Sequence, residues 1–287
     1  MTSDQALVAL RPQMFALAYR ITGSRSDAED IVQDAFLRLH RADDAEAVRS
    51  LKAYLTTITA RLSLNHLRDA MARRETYIGE WLPEPLLTTN QPDVRAEDVS
   101  YALLVVLERL APVSRVVFVL RNAFEMSFDE ISGVVGRDEV RCRKIFSRAR
   151  DQVLSERPRF VVDHSRHREV VRRFMEAARG NDMAGMIELL DDNAVLHGDG
   201  GGKAFALKKP VSGGVAVARF ILAASGTLPL DALIEQAEIN GGPGLIIRAE
   251  GRVVVAIAVE GDGRRISALF GVSNPDKLQA LEQPMAS

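Results

Sequence analysis

Residues Ser127 to Val153 constrain this chain more than any other stretch, because they read as two short amphipathic helices on either side of a glycine turn. Ser127 and Glu130 have the Ser-x-x-Glu spacing of a capping box, in which each side chain satisfies an orphan backbone N–H at the helix start. Phe128, Ile131, Val134 and Val135 then share one face, and Gly136 suits the left-handed residue that ends such a helix. The second helix carries Cys142, Ile145, Phe146, Ala149 and Val153 at i, i+3, i+4, i+7 and i+11. Arg137, Arg141, Lys144 and Arg148 recur on the opposite side, and Arg143 joins them as a candidate DNA contact. One apolar seam and one cationic ridge describe a helix-turn-helix able to lie in a major groove.

At 287 residues there is room for two or three domains, each with its own core. The formal net charge of −2 excludes a protein that coats nucleic acid through its overall field, so contact must come from local patches. Between Arg137 and Arg159, eight basic residues face four acidic ones, which makes that patch local and real. A single cysteine leaves no disulfide framework and no thiolate metal cluster. Cys142 lies on the apolar stripe and reads as a small buried hydrophobe. No metal or cofactor is expected. The apolar run from Ala6 to Leu10 is too short for a signal peptide and no span reaches membrane length, so a cytoplasmic chain with no membrane partner is expected.

The first segment reads as helical throughout. Leu7 to Ile21 has helical apolar spacing and is closed by Gly23. Ser26 and Glu29 suggest a second capping box opening a helix from Asp27 to His40, with Asp30, Gln33 and Asp34 offset from its apolar residues Ile31, Phe36, Leu37 and Leu39. A third helix from about Ser50 to Arg74 sets Leu51, Leu55, Ile58, Leu62 and Asn65 along one side and ends in a basic tail of Arg68, Arg73 and Arg74. Arg61, Asn65 and Arg68 fall at i, i+4 and i+7, a pattern that suits unstacked bases with a neutralised backbone, or else an ordinary polar surface. From Glu80 to Pro92 the prolines Pro83, Pro85 and Pro92 stand among Trp81, Leu82, Leu86 and Leu87, which predicts a linker that docks rather than a solvated spacer. Helices resume near Ala96 and again at Pro112. Beyond Phe160, two helices (His167 to Gly180, Met183 to Leu190) precede strand-like runs at Ala194–His197, Ala204–Lys208, Leu233–Ile239, Leu245–Ala249, Arg252–Val259 and Arg265–Val272. A helix from Val215 to Ala224 interrupts them, and the pattern is that of an α+β domain with an antiparallel meander, its boundary near Val161–Ser165.

An acidic helix, a basic-tailed helix, a linker and an arginine-rich helix-turn-helix, in that order, resemble the extracytoplasmic-function (ECF) sigma factors of bacterial RNA polymerase. The resemblance implies that Asp30, Gln33, Asp34 and Leu37 contact the clamp of the β′ subunit, with the flap of β as a further contact of core RNA polymerase. It implies that Arg61, Asn65, Arg68, Arg73 and Arg74 melt and read the −10 element of promoter DNA, and that Arg137, Arg141, Arg143, Lys144 and Arg148 read the −35 element. The remainder is similar to the SnoaL-like domain fused to the sigma-J-like subgroup. Three stretches carry that likeness: Trp81-Leu82-Pro83-Glu84-Pro85-Leu86, Asp199-Gly200-Gly201-Gly202-Lys203 and Asn274-Pro275-Asp276-Lys277-Leu278. The subgroup implies interdomain, regulatory contacts at these stretches, so that the fused domain tunes polymerase and promoter engagement.

The fold class expected is therefore multidomain: two all-α sigma domains, the second a helix-turn-helix, followed by an α+β SnoaL-like domain of the cystatin-like cone type. The expected division is 1–77 for region 2, 78–96 for the linker, 97–160 for region 4 and 164–287 for the SnoaL-like domain. A promoter-specific initiation factor, not an enzyme, is the expected function, with a small-molecule ligand of the C-terminal domain as a candidate partner. Two alternatives are a one-component, ligand-responsive DNA-binding regulator and a SnoaL-like isomerase or cyclase with a DNA-binding appendage. The last would use His197 and Asp199 as an acid/base pair, but fold likeness does not carry chemistry. The glycine run before Lys203 lacks the spacing of a phosphate-binding loop.

Overall fold

A computed structural model describes residues 3–41, 50–74, 76–88, 100–156 and 164–281. The side chain of Arg73, the linker beyond Thr88, the helix start near Ala96 and most of the boundary near Val161–Ser165 lie outside the described residues or side chains. The chain divides into two compact units: Met1–Glu75 with Asp93–Arg157, and Thr76–Pro92 with Pro158–Ser287. The linker thus belongs with the C-terminal unit, and the two helical regions share the other.

The helical unit begins with α1 (Ser3–Thr22), α2 (Arg25–His40) and α3 (Leu51–Arg74). Gly23, at φ +71°, turns α1 into α2. The cap of α2 is Ser24, whose hydroxyl accepts from the Asp27 backbone N–H, so the helix starts earlier than the Ser26/Glu29 pattern predicts. Glu29 is instead held by Arg25, 2.9 Å away. The buried side of α3 also departs from the expected stripe. Leu55, Thr59, Ala60, Ser63, Leu64 and Leu67 are buried, whereas Leu51, Ile58 and Leu62 are only partly so and Asn65 is exposed. Ser63 donates to the Thr59 carbonyl at 2.7 Å, so its hydroxyl is satisfied inside its own helix and can be buried among apolar neighbours.

The same unit continues with α4 (Tyr101–Glu108), α5 (Pro112–Ala123), α6 (Phe128–Val135) and α7 (Glu139–Glu156). One apolar core joins these four helices to α1 and α3, from Leu17, Ile21, Leu64 and Leu67 through Val117 and Leu120 to Ile131, Cys142 and Val153.

In the C-terminal unit, α8 (His164–Arg179), α9 (Met183–Leu189) and α10 (Gly214–Ser225) pack on a six-stranded sheet of order β2-β1-β6-β5-β4-β3. The strands are β1 (Leu190–Asp199), β2 (Val211–Ser212), β3 (Leu233–Ile239), β4 (Gly242–Ala249), β5 (Arg252–Gly261) and β6 (Ile266–Val272). β3 to β6 form an antiparallel meander, but β1 joins β6 in parallel, against the all-antiparallel expectation. The β3–β4 turn at Asn240 and Gly241 has both residues at positive φ, as a two-residue hairpin of matching twist requires. Ala204–Lys208 is not a strand. The Phe205 carbonyl accepts from the Ser273 hydroxyl at 2.8 Å instead of from a neighbouring strand, and Phe205 is exposed; a short apolar run has no periodicity to separate these outcomes. A last short helix, α11 (Pro275–Leu278), has Asn274 as its cap and Pro275 at its first turn.

Candidate nucleic-acid interface and linker clasp

The helix-turn-helix is built from local chemistry. Ser127 Oγ accepts from the Glu130 N–H, and the Glu130 carboxylate accepts from the Ser127 N–H at 2.7 Å, closing the capping box. These bonds hold the Glu130 carboxyl below its ordinary value. Gly136 ends α6 in the left-handed conformation at φ 66°. Arg137 in the turn before α7, and Arg141, Lys144 and Arg148 along it, are exposed, with no ion-pair partner among the described residues. Arg143 is also exposed but differs: it pairs with Glu139 and lies 4.9 Å from the centre of the Phe128 ring, which ties it to α6.

Asp30, Gln33, Asp34 and Leu37 form an exposed row on α2. On α3, Asn65 and Arg68 are exposed, whereas Arg61 donates to the Gly133 carbonyl of α6 at 2.7 Å. Arg74, expected as part of the basic tail to contact DNA, turns inward. It donates to Glu108 and to the Thr22 carbonyl, and burial pulls its guanidinium below the ordinary value while Glu108 opposes that shift. Glu108 also pairs with the buried Arg115 at 2.7 Å, and Arg115 Nε donates to the Arg20 carbonyl at 2.9 Å. This cluster joins the end of α3 to α4 and α5.

The three marked stretches of the C-terminal unit meet around one carboxylate. Asp199 is fully buried. Its Oδ2 accepts from the Leu82 N–H at 2.9 Å and pairs with Lys277 Nζ at 2.6 Å. Its Oδ1 accepts from the Tyr77 hydroxyl and from the Gly201 N–H at 3.1 Å. Lys277 also donates to the Leu82 carbonyl and sits 3.1 Å above the Trp81 ring, whose edge-to-face neighbour is Tyr77. Asn274 donates to Tyr77 Oη at 2.9 Å. Burial, with the Asp199 carboxylate adding to it, raises the Tyr77 phenol above its ordinary value. Gly201 has φ +59°, and a Cβ there would come within 2.3 Å of Asn274 Nδ2, so the turn has no room for a side chain. Gly200 is buried, Gly202 is exposed at φ +70°, and Lys203 reaches Asp276 at 2.6 Å on the surface. Further along, Leu82, Pro83, Glu84, Pro85 and Leu86 are buried. The Leu86 N–H donates to Asn240 Oδ1, and the Leu86 carbonyl accepts from the Asn240 N–H at 2.8 Å, seating the linker on the hairpin turn. Leu278 is buried, Pro275 and Asp276 exposed.

His197 does not pair with Asp199, whose acceptors are spent on the clasp. Its Nδ1 lies 2.8 Å from Glu80 Oε1, and its ring stacks on Phe270. It lines a cavity of about 410 Å³ among α8, α10 and the sheet. Sequence reasoning passed over Glu80, Asn240, Glu108 and Arg115. Only Asn240 carried a local signal, the Asn-Gly pair of a tight hairpin.

Family comparisons agree with this layout. The model of Sigma-70 region 2 matches residues 7–73, and that of Sigma-70, region 4 matches residues 100–153. The helical unit is therefore a two-region sigma factor of RNA polymerase. Among curated proteins, "ECF RNA polymerase sigma factor SigJ" of Mycobacterium tuberculosis is 39% identical, over 94% of this chain and 91% of that protein. "Probable ECF RNA polymerase sigma factor SigI" of the same species is 35% identical, over 64% of this chain and 65% of that protein. The crystal structure of the M. tuberculosis extracytoplasmic function sigma factor SigJ superposes with a TM-score of 0.77 at 35% identity, covering 97% of this chain and 98% of that one. The chain belongs to the ECF RNA polymerase sigma factors, with a C-terminal α+β domain of SnoaL-like fold. It binds core RNA polymerase and directs promoter-specific transcription initiation.

Proposed function

We propose that the C-terminal domain tunes this sigma factor by gripping the linker between its two promoter-reading regions. The observation that carries this is Asp199, buried and shared between the Leu82 backbone of the linker and Lys277. A linker so held carries the domain with it, and the arrangements open to regions 2 and 4 depend on whether the grip holds. Regulation is then a population shift between compact and polymerase-competent forms. The −10 and −35 elements are separated by about 25 base pairs, roughly 85 Å of duplex. Arg61 bonded to Gly133 belongs to the compact form, because region 2 and region 4 cannot touch while reading both elements.

Within this reading, Asp30, Gln33, Asp34 and Leu37 meet the β′ clamp, and region 4 meets the β flap. Arg61, Asn65, Arg68 and Arg73 engage the −10 element, and Arg137, Arg141, Arg143, Lys144 and Arg148 the −35 element. Arg74 acts instead on the contact between regions. The protein works in the cytoplasm, where polymerase and promoter are. In vitro transcription with core polymerase tests the reading, comparing the full chain with Asp199→Asn, Trp81→Ala and a truncation before Asn274. Promoter-dependent output is expected to change at least threefold in all three; unchanged output would refute the grip as a regulator.

A further inference from the structure

The cavity of the C-terminal domain is lined by apolar groups such as Phe174, Leu196, Phe220 and Leu245, and among the described residues no Asp, Glu, Lys or Arg side chain lines it. A charged group buried there would lose its hydration with no Asp, Glu, Lys or Arg of the lining to replace it, which favours a neutral ligand. At about 410 Å³ the cavity falls within the range of small-molecule sites, about 300–1,000 Å³. Among the polar lining groups, Thr227 and Ser273 already donate their hydroxyls, to the Ala224 and Phe205 carbonyls.

His197 is different. Its Nδ1 lies 2.8 Å from Glu80 Oε1, and in the tautomer that donates Nδ1–H to that carboxylate the Nε2 of the ring is an acceptor, matched by a ligand that brings a donor. Glu80 itself belongs to the linker and is absent from the cavity lining; its Oε2 is buried with no hydrogen-bond partner among the described residues, which leaves the imidazole as the side chain that meets this carboxylate.

We propose that this cavity binds a neutral, largely apolar alcohol or phenol whose hydroxyl donates to His197 Nε2, and that the linker senses its occupancy through Glu80. The sensing part rests on the regulatory reading above; the binding part does not. The test uses the full-length chain without polymerase, so that a failure of transcriptional regulation leaves its outcome untouched. Calorimetric titration with menthol, a cyclic alcohol of fitting size, is expected to show saturable one-to-one binding. Menthone, the matching ketone without the donor, is expected to bind at least tenfold more weakly. In Ala224→Trp the cavity is filled and both are lost, while in His197→Phe the preference for menthol disappears. Absence of saturable menthol binding, equal affinity for the two, or menthol binding retained in Ala224→Trp would overturn the site; the comparison of the two ligands needs no variant. Trp81, the sole tryptophan, lies next to Glu80 and reports on the linker. Its emission is expected to shift on menthol binding in the wild type and not in Glu80→Ala. Menthol binding with unchanged Trp81 emission would overturn the coupling.

Discussion

Each compact unit is pinned by a buried charge cluster, and the two are built differently. In the C-terminal unit one carboxylate, Asp199, meets one ammonium, Lys277, and three further donors, so charge is balanced and the oxygens are used. In the helical unit one carboxylate, Glu108, serves two guanidiniums, Arg74 and Arg115, and Arg115 Nη2 is buried without a hydrogen-bond partner. A saturated cluster loses heavily if either partner leaves, whereas an under-satisfied one gains hydration for its surplus charge on opening. The contrast suits a grip on the linker that is costly to open and a contact within the helical unit that opens more readily.

The largest effect is expected at Asp199→Ala, which strands Lys277 and should cost the C-terminal unit about 3–5 kcal/mol by urea denaturation. The double variant Asp199→Ala with Lys277→Met should recover much of that loss. A cost below about 1 kcal/mol would place the clasp on a par with a surface pair and break the comparison. Glu108→Ala should cost the helical unit less, about 1–3 kcal/mol, because Arg74 and Arg115 reach water as the regions part. Small-angle scattering should show a larger radius of gyration for it; a compact variant with a loss as large as that of Asp199→Ala would make the two clusters equivalent. Arg141→Ala leaves both clusters alone and should weaken binding to duplex promoter DNA by about 1–3 kcal/mol, read by fluorescence anisotropy.

The smallest effects compare the two helix caps of the helical unit. Ser127→Ala and Ser24→Ala should each cost about 1 kcal/mol. Only the first should depend on acid pH. Glu130 is held below its ordinary value in the folded protein, so its contribution is complete above that ordinary value and is lost as pH falls through the depressed folded one. Thermal melts of wild type and Ser127→Ala should therefore converge on acidification, while those of Ser24→Ala should keep their offset.

The helix-turn-helix was legible because its cap, apolar stripe and glycine stop are all local, and the capping box formed as its spacing predicts. The start of α2 was misread because two serines compete there, and Gly23 places Ser24, not Ser26, in the extended cap conformation. The stripe on α3 was misread because Thr59 and Ser63 are polar by name yet fully buried. Ala204–Lys208 has strand composition but no strand beside it to pair with.

The Trp81, Asp199 and Asn274 stretches stood out in the sequence as three separate marks, and nothing local says that they meet. A carboxylate, an ammonium and a linker amide more than a hundred residues from it come together only when burial removes water and makes each the other's best partner. By itself the sequence determined most of the helices, the capping box of α6, the cationic ridge and the family, all features of short-range periodicity and residue type. Tertiary structure alone decided that Arg74 turns inward, that His197 answers to Glu80 rather than Asp199, and that β1 lies parallel to β6, because each depends on which distant group occupies the same dry space.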